Sequence, residues 1–179
     1  AAGLVFLSGW NRLEDFHDPM CGSGTIAIEA GLMARRIPPN LRRERFGFMR
    51  LPWFDQRAWE RILEEARSEI VPGECVIEAS DEDGRAIEVA RANAVTAGVD
   101  SLIRFSSRDI RKLPKARRFS TLVVNPPYGT RLGEVKNLKS LYRAMGEVFR
   151  KRLRDSTAWV FTGNAGLAKY IPLKSSERI

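Results

Sequence analysis

Two short stretches of this 179-residue chain hold residue types whose spacing could do chemistry: Asp18-Pro19-Met20-Cys21-Gly22-Ser23-Gly24 and, far downstream, Asn125-Pro126-Pro127-Tyr128. The first is a glycine turn with an acid at its mouth, followed by the apolar run Thr25-Ile26-Ala27-Ile28-Glu29-Ala30. Gly22 and Gly24 let the backbone turn sharply and approach a ligand where a side chain would collide. A helix starting at Thr25 would aim its free N–H groups at that ligand. The spacing Gly22-x-Gly24-x-x-Ala27 also fits the dinucleotide fingerprint, which expects an acid about 20 residues further on. That stretch is Arg42-Arg43-Glu44-Arg45, and the strand-end acid comes only at Asp81, after Cys75-Val76-Ile77-Glu78-Ala79. A carboxylate at Asp18 would repel a pyrophosphate. It suits a ligand that carries an ammonium group, as the methionine end of S-adenosylmethionine does.

The second stretch ends the short apolar run Ser120-Thr121-Leu122-Val123-Val124. The amide oxygen of Asn125 and the carbonyl of Pro126 are both acceptors, and neither proline has an N–H to compete. Prolines fix φ and bias the preceding residue away from helix, so the acceptors are held rigidly. Such a pair can take the two N–H bonds of an exocyclic amino group and turn its lone pair toward a methyl donor. Tyr128 offers a flat face on which a base could stack. Together the two stretches point to methyl transfer from S-adenosyl-L-methionine to a base. Read singly, each also fits a strand-end turn with no ligand.

Positioning these groups requires strands that end at them. Apolar runs predict strands over 15–18, 75–79, 102–105, 122–124 and 158–161. Helical periodicity predicts helices over 25–36, from about 59, over 84–97 and over 138–153, with Gly98 as a stop signal. Trp59, Ile62, Leu63, Ala66 and Ile70 would form one buried face of the second. Leu138, Leu141, Tyr142, Met145, Val148 and Phe149 would do the same in the last. The first seven residues read as an amphipathic lead-in helix, not as a signal peptide. Alternation of strand and helix implies an α/β, doubly wound, mostly parallel sheet with ligands at the strand carboxyl ends. Asp18, Asp81, Asp109 and Asn125 all fall at such ends.

With these residues in place, the chain resembles the methyltransferase domain of the THUMP-associated RNA methylases, most of all the bacterial 23S rRNA guanine-N2 methyltransferases. The resemblance rests on Ser8-Gly9-Trp10, Asp18 to Glu29, Gly47-Phe48 with Trp53-Phe54-Asp55 and Trp59, Ser80-Asp81, Ala90-Arg91-Ala92-Asn93-Ala94 with Ala97-Gly98-Val99, and Asn125-Pro126-Pro127-Tyr128-Gly129. It implies the Rossmann-like sheet of class I S-adenosylmethionine-dependent methyltransferases. It also implies that Asp18, Gly22 and Gly24 border the methionine moiety, with Pro19, Met20, Cys21 and Thr25 in the same turn. Asp81, followed by Glu82, would bind the ribose hydroxyls, and Asp109 with Ile110 would face the adenine. Asn125, Pro126, Pro127 and Tyr128 would hold the target base. Against the family pattern, the chain is expected to be a catalytic-domain fragment spanning 1–179, without an RNA-capture region ahead of Ala1 and without a final β-hairpin.

Composition agrees with a single domain of 44% apolar residues, enough for one core. Two cysteines, Cys21 and Cys75, and one histidine, His17, cannot build a conventional structural zinc site, so no metal is expected. Cys21 reads as a small buried residue and His17 as an imidazole packed in the first strand. The cysteine usage fits a reducing cytoplasm, and no apolar run approaches the ~20 residues of a membrane span. A balance of 30 basic to 22 acidic residues, formally +8, favours a polyanion, here RNA and by the resemblance rRNA. Arg35, Arg36, Arg42, Arg43, Arg45 and Arg50 crowd the segment 37–58 and its approach. Lys112, Lys115, Arg117 and Arg118 precede the fourth strand, and Arg150-Lys151-Arg152 with Arg154 end the last helix. Phe46, Phe48, Trp53 and Phe54 interleave with the first cluster. They fit either phosphate contact with base stacking or simple anchoring of the insertion. The readings left open are an adenine-N6 methyltransferase of DNA or RNA, a tRNA guanine-N2 methyltransferase, an NAD-dependent oxidoreductase and a non-catalytic RNA-binding module. The oligomeric state is also left open.

Overall fold

The computed structural model describes residues 1–113, 121–129, 132–152 and 156–178. Lys115, Arg117, Arg118, Arg154 and the expected helix end at 153 lie outside the described residues. Five strands form one sheet: β1 (Phe16–Asp18), β2 (Ile77–Asp81), β3 (Ile103–Ser107), β4 (Thr121–Val124) and β5 (Thr157–Val160). All pairings are parallel and the spatial order is β3-β2-β1-β4-β5. The chain therefore winds outward from β1 to β3, then returns to the other side of β1 for β4 and β5. The crevice at that reversal is where doubly wound sheets bind ligands.

Helices cover both faces. Helices α1 (Ala2–Leu7), α2 (Thr25–Ala34) and α4 (Gly84–Ala97) pack on one side with Phe16, Ile77, Phe105 and Val123. The other side carries α5 (Leu132–Arg152) and α6 (Ala165–Ala168) against Leu122 and Val124. The alternation of Leu122, Val123 and Val124 between the two cores is the period-two rule of a strand buried on both faces. At the C-terminus of α4, Gly98 adopts φ 74° and its N–H bonds back to the last turn. That left-handed stop is the one expected there. Arg35 donates to the Gly98 carbonyl at 2.6 Å, and Arg42 donates to the Thr96 carbonyl, so two arginines also cap this helix end.

Several expectations shift, with α2 ending at Ala34 and β3 running on to Ser107. Strand β2 begins and ends two residues later than its apolar run, because Ser80 and Asp81 pair with Ser106 and Ser107 of β3 in spite of their polarity. Helix α3 (Gln56–Ser68) starts three residues early, where the Asp55 carboxylate accepts from the Ala58 N–H at 3.0 Å. Its apolar stripe is not a core face: none of its residues is buried, and Ile62 is 54% exposed. Helix α5 starts at Leu132, ahead of the apolar periodicity that marks its later turns.

Candidate active site

Asp18 closes β1 and is fully enclosed. One carboxylate oxygen, Oδ1, accepts a long bond from the Met20 N–H at 3.4 Å, while Oδ2 has no hydrogen-bond partner among the described residues. Burial pushes its pKa up to about 8; the Met20 N–H opposes this and the Asp81 charge adds to it. A buried acceptor left unpaired is costly, so the position asks for a cation or a donor from a ligand. The turn beyond it is anchored by Cys21 N–H to the Ser80 carbonyl at 2.9 Å and by Gly22 N–H to Asp81 Oδ2 at 2.9 Å.

The two glycines of the turn have different reasons. Gly22 has φ 53°, and a Cβ there would meet nothing within 4 Å, which leaves its surface open to a ligand. Gly24 has φ 85°, but its missing Cβ would lie 3.0 Å from the Ala90 Cβ. The left-handed backbone and the close packing of α2 on α4 both require glycine there. Cys21 is buried beside Asp18, and burial, with the charges of Asp18 and Asp81, pushes its thiol up to about 12. That thiol is chemically inert at neutral pH. His17 is also buried; burial, followed by the nearby Arg108 charge, lowers its pKa to about 4, so the ring stays neutral.

Asp81 accepts backbone N–H bonds on both oxygens, from Gly22 at 2.9 Å and Asp83 at 3.0 Å. Each oxygen keeps a lone pair for a ligand hydroxyl. A cleft of about 220 Å³ opens beside it, lined by Pro19, Met20, Asp81, Glu82, Asp109 and Ile110. Thus six of the residues expected at the cofactor line one cavity, while Cys21 and Gly24 lie buried beneath the turn and Thr25 is exposed, bonded to Ser23. Arg111, Leu138, Ser140 and Leu141 complete the wall; the sequence marks Leu138 and Leu141 only as core-facing residues and gives Arg111 and Ser140 no role. Arg111 pairs with Asp109 at 2.5 Å and holds that carboxyl below its ordinary range. Its signal was the Asp-x-Arg spacing. The role of α5 had no signal, because Leu138 and Leu141 look like core residues.

Strand β1 pairs with β4, His17 opposite Leu122, which brings the ends of the two strands side by side. There Pro126 is buried while Asn125 and Pro127 are exposed. Tyr128 is 39% exposed, with its ring against Gly163 in the turn after β5. Asn164 of that turn donates to the Tyr128 carbonyl at 3.5 Å. In the basic insertion the aromatics divide. Phe46, Phe48, Phe54 and Trp59 pack on one another at centroid distances of 5.2–5.8 Å and pin the insertion to α3. Trp53 is 78% exposed.

A parallel sheet in this order, with its cleft at the reversal of winding, is the Rossmann-like fold of class I methyltransferases, and solved structures agree. The protein SMU.472, solved complexed with SAH, superposes with a TM-score of 0.90 at 30% identity over 98% of this chain and 46% of its own. A predicted N6-adenine-specific DNA methylase from Listeria monocytogenes gives 0.88 at 34% identity over the same shares. The chain belongs to the family described as RMKL-like, methyltransferase domain, which matches it over residues 1–179. The ribosomal RNA large subunit methyltransferase K/L of Syntrophotalea carbinolica is 42% identical over 191 residues, covering 99% of this chain and 26% of that protein. The chain spans about a quarter of the length of such relatives. It is a methyltransferase domain, and the kinship first carried by two motifs holds along its length.

Proposed function

We propose that this domain transfers a methyl group from S-adenosylmethionine to the exocyclic amine of an RNA base, guanine N2 of the large-subunit ribosomal RNA, in the cytoplasm. The observation that carries the reading is the enclosed Asp18 carboxylate with its unpartnered oxygen, next in the chain to Pro19 in the wall of the cleft and one strand away from Asn125-Pro126-Pro127-Tyr128. Asp18 fits the ammonium of the donor, Asp81 its ribose hydroxyls, and Asp109 with Ile110 its adenine. The bound cofactor supplies an electrophilic methyl group. The chain's own residues do the rest by placement. Asn125 Oδ1 and the Pro126 carbonyl accept the two N–H bonds of the target amine, which leaves its lone pair free to point across the β1–β4 boundary. Tyr128 stacks the base. The high thiol pKa of Cys21 and the neutral, buried His17 take no part in covalent chemistry.

The ribosomal name of the K/L relatives and the formal charge of +8 support RNA as substrate. Guanine N2 rests on the family resemblance. A second reading, adenine N6, is favoured by the description of the Listeria relative and by a clamp that fits any exocyclic amine. Incubation with methyl-labelled S-adenosylmethionine and total RNA, followed by nucleoside mapping, separates them. Label on N2-methylguanosine supports the first reading, label on N6-methyladenosine the second, and donor binding without any labelled base overturns both.

A further inference from the structure

We infer that Gly163 and Asn164, in the turn after β5, are positioning residues that set the Tyr128 ring, and through it the target base. The inference rests on the proposed role of Tyr128. Gly163 is not in the left-handed region, so its conformation does not require glycine. Its effect is on space: a Cβ there would lie 3.3 Å from Cδ2 and Cε2 of Tyr128, and the ring would have to shift by a few tenths of an ångström. The absent side chain is therefore the seat on which one side of the ring rests.

Asn164 fixes the same residue from its main chain. Its Oδ1 accepts from the Gly166 N–H at 3.0 Å and the Leu167 N–H at 3.2 Å, which caps α6. That commitment leaves its amide NH₂ to face the Tyr128 carbonyl, 3.5 Å away. The turn itself is tied to the core. Phe161 N–H donates to the Val124 carbonyl at 2.9 Å, extending the β4–β5 ladder to the residue before Asn125. Thr162 Oγ1 accepts from the Asn164 N–H at 3.2 Å and shares a 2.8 Å bond with the hydroxyl of Tyr142, which is wholly buried in α5. A packed helix thus dictates where the exposed ring stands.

Asn164→Asp is the decisive variant. Aspartate caps a helix as well as asparagine does, but it sets an acceptor against the Tyr128 carbonyl in place of a donor. The expected result is a fall of tenfold or more in kcat for methyl transfer to total RNA, with S-adenosylmethionine affinity within twofold of wild type and Tm unchanged. Gly163→Ala should do likewise, since misplacement by a fraction of an ångström is felt in the reacting geometry. In a Tyr128→Ala background neither change should cost anything further. Full activity of Asn164→Asp, or equal losses with and without Tyr128, would overturn the inference. A fully active Tyr128→Ala would remove the stacking role itself and leave no ring to position, a failure distinguishable from the other two.

Discussion

Asp18 makes the site testable without any substrate. In the unfolded chain its carboxyl titrates near 3.8, whereas in the folded domain burial holds it at about 8. Below about pH 4 both states keep the proton and the group has no effect on stability. Between about 4 and 8 the unfolded chain releases the proton while the folded domain retains it, so stability falls as pH rises. At 1.36 kcal/mol per pH unit the gap amounts to roughly 5 kcal/mol, an upper figure because local relaxation and water entry soften it. A neutral amide in its place would carry no such penalty. Asp18→Asn should therefore match wild type in Tm near pH 4 and gain progressively above it. At pH 8 the gain should reach about 3 kcal/mol, or roughly 6–12 °C for a domain of this size.

The same substitution should act in the opposite sense once S-adenosylmethionine is present. An ammonium beside the carboxylate favours the ionised form, so wild type should release a proton on binding below pH 8 and be strongly stabilised by the ligand. The variant should lose about 1.5–3 kcal/mol of that binding, the scale of a hydrogen bond to a charged group. Thermal melts of both proteins from pH 4 to pH 9, with and without the donor, read both arms. A Tm difference that does not change with pH would refute the account of the buried carboxyl. Equal donor affinity in the two proteins would refute its role at the ammonium.

Asp81→Ala should weaken S-adenosylmethionine binding by about 1.5–3 kcal/mol by calorimetry and loosen the turn at Gly22; unchanged affinity removes the ribose role. Asn125→Ala should abolish methyl transfer while donor affinity stays intact, and a fully active variant would take the clamp out of the mechanism. Tyr128→Ala should cost about 1–3 kcal/mol of base stacking in RNA affinity, whereas Tyr128→Phe keeps it. In the insertion, Arg42→Ala should lower stability by about 1 kcal/mol, because that guanidinium caps α4. Joint replacement of Arg45 and Arg50, which are exposed, should flatten the salt dependence of RNA binding by roughly 0.7–0.9 per lost phosphate contact. An unchanged slope would make them solvated surface.

The parallel sheet was legible because β2, β3, β4 and β5 each hold a short apolar run, although β2 and β3 extend two residues past theirs. Gly98 and the period of α4 gave that helix its bounds. Legibility failed where tertiary context outweighed local polarity. Ser80 and Asp81 lie past the expected strand end at residue 79 yet sit in β2, since Ser106 and Ser107 of β3 offer them partners. The stripe on α3 read as a core face, but the core it faces is only the insertion's own aromatic cluster. For Arg42 and Arg43 the sequence leaves phosphate contact and anchoring of the insertion both open. In the fold, one caps a helix and the other stacks on Phe46 at 5.0 Å. In the site, the acids were found by type and place, whereas Gly163 and Asn164 were missed. A glycine kept for clearance and an asparagine that caps a short helix leave no periodic or compositional trace.

With the proposed roles, helix α5 lets donor and acceptor be held separately and still meet. Leu138 and Leu141 line the cleft beside Asp81, while Tyr142, on the next position, reaches Thr162 in the turn that faces Tyr128. Met145 and Phe149 follow at helical spacing and are buried in the core with Leu122 and Val124 of β4. One helix therefore lines the cleft, bonds the turn that faces Tyr128 and packs on the strand whose end carries Asn125. The two half-sites rest on opposite sides of the winding reversal and share no loop, so without such an element their relative placement would depend on the β1–β4 pairing alone. Two residues in register, His17 with Leu122 and Phe16 with Thr121, define that pairing. With α5 as a common wall, the distance between them is set by packed side chains, which deform far less readily than loops.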